Sequence, residues 1–110
     1  MRTELSRSAF LVLLALSREA GHGLGIVDRV ERATGGKVKL GPGTLYGTLH
    51  GLAGAGLIRE TAEPPDPADD DPRRRYYRLT PKGERALKAD AERLEVLVAA
   101  ARERRVLEDL

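Results

Sequence analysis

The nine residues PPDPADDDP, Pro64 to Pro72, constrain this chain more than any others. Proline has no N–H to donate and a fixed φ, and clustered aspartates favour turns, so the segment can be neither helix interior nor central strand. It has to be a loop. Short runs of strand character flank it, LIRETAE from Leu57 to Glu63 and RRRYYRLT from Arg73 to Thr80, which makes the loop the long tip of a β-hairpin.

The chain ahead of the hairpin reads as helical. From Ser6 to Ala20 the apolar residues Phe10, Leu13, Leu14 and Leu16 recur at helical spacing, and Gly21 follows as a stop. Leu11, Val12 and Ala15 make this helix apolar on most sides, so it should pack against more than one neighbour. A second helix is expected from Gly25 to Thr34, with Ile26, Val27, Val30 and Ala33 inward, ended by Gly35 and Gly36. KVKL, Lys37 to Leu40, alternates like a minimal edge strand, and Pro42 then opens a third helix that should end near Gly54 or Gly56.

Beyond the hairpin, Thr80 and Pro81 resemble an N-cap and first helical position, opening a last helix expected to run to the C-terminus. Thirty residues of helix would reach about 45 Å, more than a small domain needs. The predicted fold class is mainly α with a small β-hairpin: a winged helix-turn-helix plus a long C-terminal helix. Residues 1–80 would form the DNA-binding domain and residues 81–110 the dimerisation helix.

A length of 110 residues suits one domain with its own core. Cysteine is absent, which removes disulfides and thiolate metal sites and fits a cytoplasmic location. The longest apolar run, Ala9 to Leu16, is too short to span a bilayer, so no membrane partner is expected. The formal net charge is only +2, yet Met1 to Arg59 carries eight Lys or Arg against four Asp or Glu, so any basic surface is local.

The third helix is unusual. With Leu45, Leu49 and Leu52 inward, Gly43, Gly47, Gly51 and Gly54 fall on the opposite side, flanked by Thr44, Tyr46 and His50. Each interior glycine costs about 1 kcal/mol against alanine. A bare face can let the backbone sit close to DNA, can admit another helix at short range, or can be a diluted exposed surface. With no Asn or Gln in the chain, the usual bidentate contact to adenine is excluded; arginine to guanine stays available, but with no arginine on the outer face of this helix much of the specificity should come from DNA shape, water or the hairpin.

Three segments, GHGLGI (Gly21 to Ile26), PGTLYGTLHGLAGAGLI (Pro42 to Ile58) and RRRYYRLTPKG (Arg73 to Gly83), together resemble the PadR family of bacterial transcriptional regulators. The match covers nearly the whole chain and is similar to the compact branch with one helix after the wing. That resemblance implies a cytoplasmic DNA-binding dimer, usually a repressor, and in some relatives a small hydrophobic effector held at the dimer interface. Two features depart from the family pattern: Gly47 and Gly51 stand where basic or polar residues are common, and the wing tip is acidic.

Double-stranded DNA is therefore the expected partner. Phosphate contacts are assigned to Lys37, Lys39, Arg73, Arg74, Arg75 and Tyr76, with Thr44, Tyr46, Gly47 and His50 on the helix set in the major groove. Strand alternation puts Arg74, Tyr76 and Arg78 outward and turns Tyr77 and Leu79 to the core. The plainer alternative for the three arginines is a solvated strand end neutralised by Asp69, Asp70 and Asp71.

In the last helix Leu87, Leu94 and Ala101 repeat every seven residues, with Ala91 and Val98 between them and Leu97 beside the seam. Phe10, Leu11 and Leu14 of the first helix offer the matching surface for a second copy, giving a homodimer on a pseudo-palindromic operator. A monomer whose last helix folds back or frays is the other reading. The main functional alternative is a winged-helix protein-interaction module with weak or lost DNA binding.

No enzyme, cofactor or metal is expected. His22 and His50 lie on different elements without a cysteine to complete a metal set, and Asp66, Asp69, Asp70 and Asp71 lack calcium-loop spacing. GHGLG follows a helix, so it reads as a turn and not as a phosphate loop.

Overall fold

The computed structural model describes residues 4–62 and 75–108. Four helices and three short strands follow in the order α1 (Arg7–Ala15), β1 (Gly21–His22), α2 (Gly23–Ala33), α3 (Pro42–Gly54), β2 (Ile58–Thr61), β3 (Tyr76–Leu79) and α4 (Pro81–Glu103). The strands form one antiparallel sheet in the order β1-β3-β2, with Gly21 opposite Tyr77 and Ile58 opposite Leu79. A single core joins Val12 and Leu13 of α1, Ile26 and Val30 of α2, Leu45, Leu49 and Leu52 of α3, and Ile58 of β2. This is the winged-helix architecture expected above.

Helix α1 is shorter than its apolar pattern implies. Ser6 caps it by accepting the Ala9 N–H at 3.1 Å, but it ends at Ala15 and the chain turns, instead of continuing to Ala20. One side chain ties the end of the helix to the turn that follows. Arg29 of α2 donates to the carbonyls of Ala15 (3.0 Å), Glu19 (3.2 Å) and Ala20 (2.9 Å), and lies 3.4 Å from the Glu19 carboxylate. Its planar fork reaches several acceptors at once, which an ammonium cannot copy. Arg29→Lys should therefore cost about 2 kcal/mol, read as a lower midpoint at unchanged slope in urea unfolding.

Gly21 is accordingly not a helix stop but the start of β1. His22 then caps α2, its Nδ1 accepting the Gly25 N–H at 3.3 Å, so α2 begins two residues before the expected Gly25. Lys37 to Leu40 form no strand. Gly35 and Gly36, at φ 64° and 81°, turn the chain off α2, and Thr34 Oγ1 accepts the Val38 N–H at 3.0 Å. The sheet is complete as β1-β3-β2, and the segment pairs with none of its strands.

Tyr76 is the clearest correction within the hairpin. Expected outward, it is only 3% exposed, with its ring edge-on to His22 at a centroid distance of 5.6 Å. As part of the centre strand β3, it is covered from the β1 side, while Tyr77 and Leu79 pack against the core from the other face as anticipated. Such a position does not suit the phosphate contact assigned to Tyr76.

Helix α4 stops at Glu103, short of the C-terminus. Arg105 adopts φ 61°, and the N–H groups of Arg105 and Val106 return to the carbonyls of Arg102 (3.1 Å) and Ala101 (2.8 Å), a Schellman closure without glycine. Its 23 residues still extend about 35 Å, along a molecule 51 Å in its longest dimension.

Candidate nucleic-acid interface

Pro42 at the first position starts α3, and Leu45, Leu49 and Leu52 anchor it, each no more than 5% exposed. The opposite face is open. A Cβ built on Gly43, Gly47, Gly51 or Gly54 meets nothing within 4 Å. Thr44, Tyr46 and His50 border this bare strip and are exposed, Tyr46 by 59%. The Tyr46 hydroxyl rests against the start of α2, where a methyl on Gly23 would sit 3.2 Å from it.

The last turn of α3 is gripped by the first turn of α4. Thr80 Oγ1 donates to the Gly56 carbonyl at 2.6 Å, Lys82 Nζ donates to the Ala55 carbonyl at 2.8 Å, and the Thr80 N–H donates to the Leu57 carbonyl at 3.1 Å. Thr80 Oγ1 also accepts the Gly83 N–H at 3.0 Å, which caps α4. Gly83 packs directly on the Leu57 carbonyl, leaving no room for a side chain. Thr80 is recognisable in the sequence as a cap, whereas the clasp leaves there only the run TPKG.

Between α3 and the hairpin runs a groove of about 430 Å³ bordered by Tyr46, His50, Arg59, Glu60, Arg75 and Tyr77. Arg75 Nη1 lies 3.4 Å from Glu60 Oε1. Partial burial raises the Tyr77 phenol above its ordinary pKa of 10.0, and the Glu60 carboxylate adds to this while Arg75 opposes it. Lys37 and Lys39 are exposed on the segment that leads into α3. Arg59 and Glu60 carry no role in the sequence analysis, and their place beside the groove follows from the pairing of β2 with β3. Arg73 and Arg74 lie outside the described residues, as do the aspartates Asp66, Asp69, Asp70 and Asp71.

A second exposed surface is apolar. Leu14 on α1 is 39% exposed, and on α4 Leu94, Leu97 and Val98 are 36%, 53% and 40% exposed. Phe10 and Ala101 are half-buried and Ala91 is exposed, whereas Leu11 and Leu87 are both partly buried against their own core. Asp90, among these apolar positions, is buried and pairs with Arg93 Nε at 2.9 Å, which raises the arginine's pKa further. Among the described residues there is no helix long and apolar enough to cross a membrane and no metal-binding cluster.

An open helix flanked by polar side chains, beside a two-stranded wing with arginines at its base, defines the winged-helix class of transcriptional regulators. Residues 12–89 match the transcriptional regulator PadR-like family, and the chain belongs to it. It is similar in fold to a PadR family transcription regulator from Clostridium difficile, with a TM-score of 0.73 at 19% identity over 89% of this chain and 97% of that one. A transcriptional regulator from Clostridium thermocellum gives a TM-score of 0.72 at 23% identity over 87% of each chain. A curated relative, an uncharacterized 37.1 kDa protein in transposon TN4556 of Streptomyces fradiae, is 36% identical over 83% of this chain. The chain spans only 23% of that relative's length. PadR-family regulators are not enzymes.

Proposed function

We propose that the chain is a homodimeric transcriptional repressor that occupies a pseudo-palindromic operator in the cytoplasm. The observation that carries this reading is the bare outer face of α3, with Thr44, Tyr46 and His50 on its borders and Arg59 and Arg75 beside it. The glycines let the helix backbone approach the base edges, while Lys37, Lys39, Arg59, Arg75 and, from the wing, Arg73 and Arg74 neutralise phosphates. Residues 1–80 engage DNA and residues 81–110 hold the dimer. Tyr76 plays no direct part.

The exposed apolar strip on α4, set against Phe10, Leu11 and Leu14 of a second copy, supports the dimer. Two α3 helices would then stand about 34 Å apart, one turn of DNA. A small hydrophobic effector would be held at the same aliphatic interface and act by shifting that spacing.

Leu97→Glu tests this. Leu97 is 53% exposed in the single chain, so a carboxylate there disturbs folding little but would be desolvated in a dimer. The variant should scatter light as a monomer, melt as a folded protein and bind operator DNA at least about a hundredfold more weakly, since two linked half-sites become two separate ones. A variant that remains dimeric with full affinity would refute the assignment.

A further inference from the structure

Glu60 is a carboxylate on the surface that the proposed function turns toward a polyanion. Its strand register places it directly opposite Tyr77, and Arg75, just before β3, reaches the same side of the hairpin, its Nη1 3.4 Å from Glu60 Oε1. Ile58, Glu60, Tyr77, Leu79 and Arg75 thus share one side of the hairpin, apolar where it meets the core and charged where it leaves. Glu60 and Arg75 border both the groove beside α3 and a shallower cleft with Thr61 and Ala62. Their side chains are 54% and 78% exposed.

An ion pair so open to water adds little to folding. Its effect on binding differs. A phosphate that engages Arg75 at Nη1 competes with the carboxylate, and Glu60 stays close to the incoming negative charge. We propose that Glu60 is a specificity-determining residue that withholds Arg75 from loosely placed phosphates, so that Arg75 engages only where the backbone of a fitted duplex closes on the hairpin. Glu60 thereby lowers affinity for arbitrary DNA. This inference rests on the DNA-binding reading above and assigns a role to a residue that contributes no attraction itself.

The test is a double-mutant cycle of E60Q and R75A in the full chain, using a 30-base-pair duplex of arbitrary sequence, fluorescence anisotropy and a series of salt concentrations. E60Q should bind about threefold to fivefold more tightly near 0.1 M salt, with the slope of log Kobs against log[salt] steeper by about 0.9, one additional phosphate contact. In the R75A background the same substitution should change affinity by less than about half as much. Matching thermal melts for wild type and E60Q keep the comparison free of folding effects. An E60Q variant that binds no better than wild type overturns the inference, and so does an equal gain in both backgrounds, which would reduce Glu60 to simple repulsion. Failure of the wild type to bind any duplex at low salt overturns the DNA reading itself, and the role of Glu60 with it.

Discussion

Gly83→Ala lowers the melting temperature on the order of 10 °C or leaves the chain insoluble, although alanine is ordinarily the better helix former. A methyl at this position overlaps the Leu57 carbonyl, which is backbone and already accepts the Thr80 N–H at 3.1 Å. Relief requires α4 to lift from the end of α3, breaking the bonds from Thr80 to Gly56 and from Lys82 to Ala55. Overpacking against fixed atoms, together with those losses, costs about 3 kcal/mol. Thermal unfolding by circular dichroism reads the change. A melting temperature equal to or above that of the wild type would mean that the contact is not tight.

The second large effect has opposite signs in two assays. Gly47→Ala with Gly51→Ala should stabilise the protein by about 1 to 2 kcal/mol, because both positions are exposed within α3 and a Cβ meets nothing there. The same two methyls should weaken operator binding about tenfold or more, because they hold the helix backbone away from the groove. Melting and anisotropy on one sample give both values. Greater stability with unchanged binding would make the glycine strip an ordinary exposed surface.

Helix α3 was legible because Leu45, Leu49 and Leu52 repeat at helical spacing between Pro42 and Gly54. The hairpin was legible because runs of strand character, Leu57 to Glu63 and Arg73 to Thr80, flank a proline- and aspartate-rich sequence. The third strand was not. Gly21–His22 has no periodicity, and its pairing with Tyr76 and Tyr77 spans more than fifty residues of chain. That pairing also explains Tyr76, since outward alternation assumes a free sheet face, whereas the cross-strand partner His22 sets its ring edge-on against Tyr76 there.

The ends of α1 and α4 escaped notice for related reasons. Arg29 ties the end of α1 at Ala15 to the turn that follows, and no local signal in α1 announces a side chain from another helix. At the far end a left-handed Arg105 closes α4 without the glycine that ordinarily marks such a stop. The candidate site divides in the same way. Tyr46 and His50 follow from helical geometry, whereas the meeting of Glu60 with Arg75 depends on hairpin register that composition does not encode.

The most direct measurement is the salt dependence of duplex binding by the purified chain, with the stoichiometry determined on the same complex. Six cations from each protomer, Lys37, Lys39, Arg59, Arg73, Arg74 and Arg75, set the scale, and log Kobs should fall against log[salt] with a slope steeper than about −5, the value for one chain, at two chains per duplex. A flat line, or one chain per duplex, would contradict a dimer that presents two glycine-faced helices to DNA.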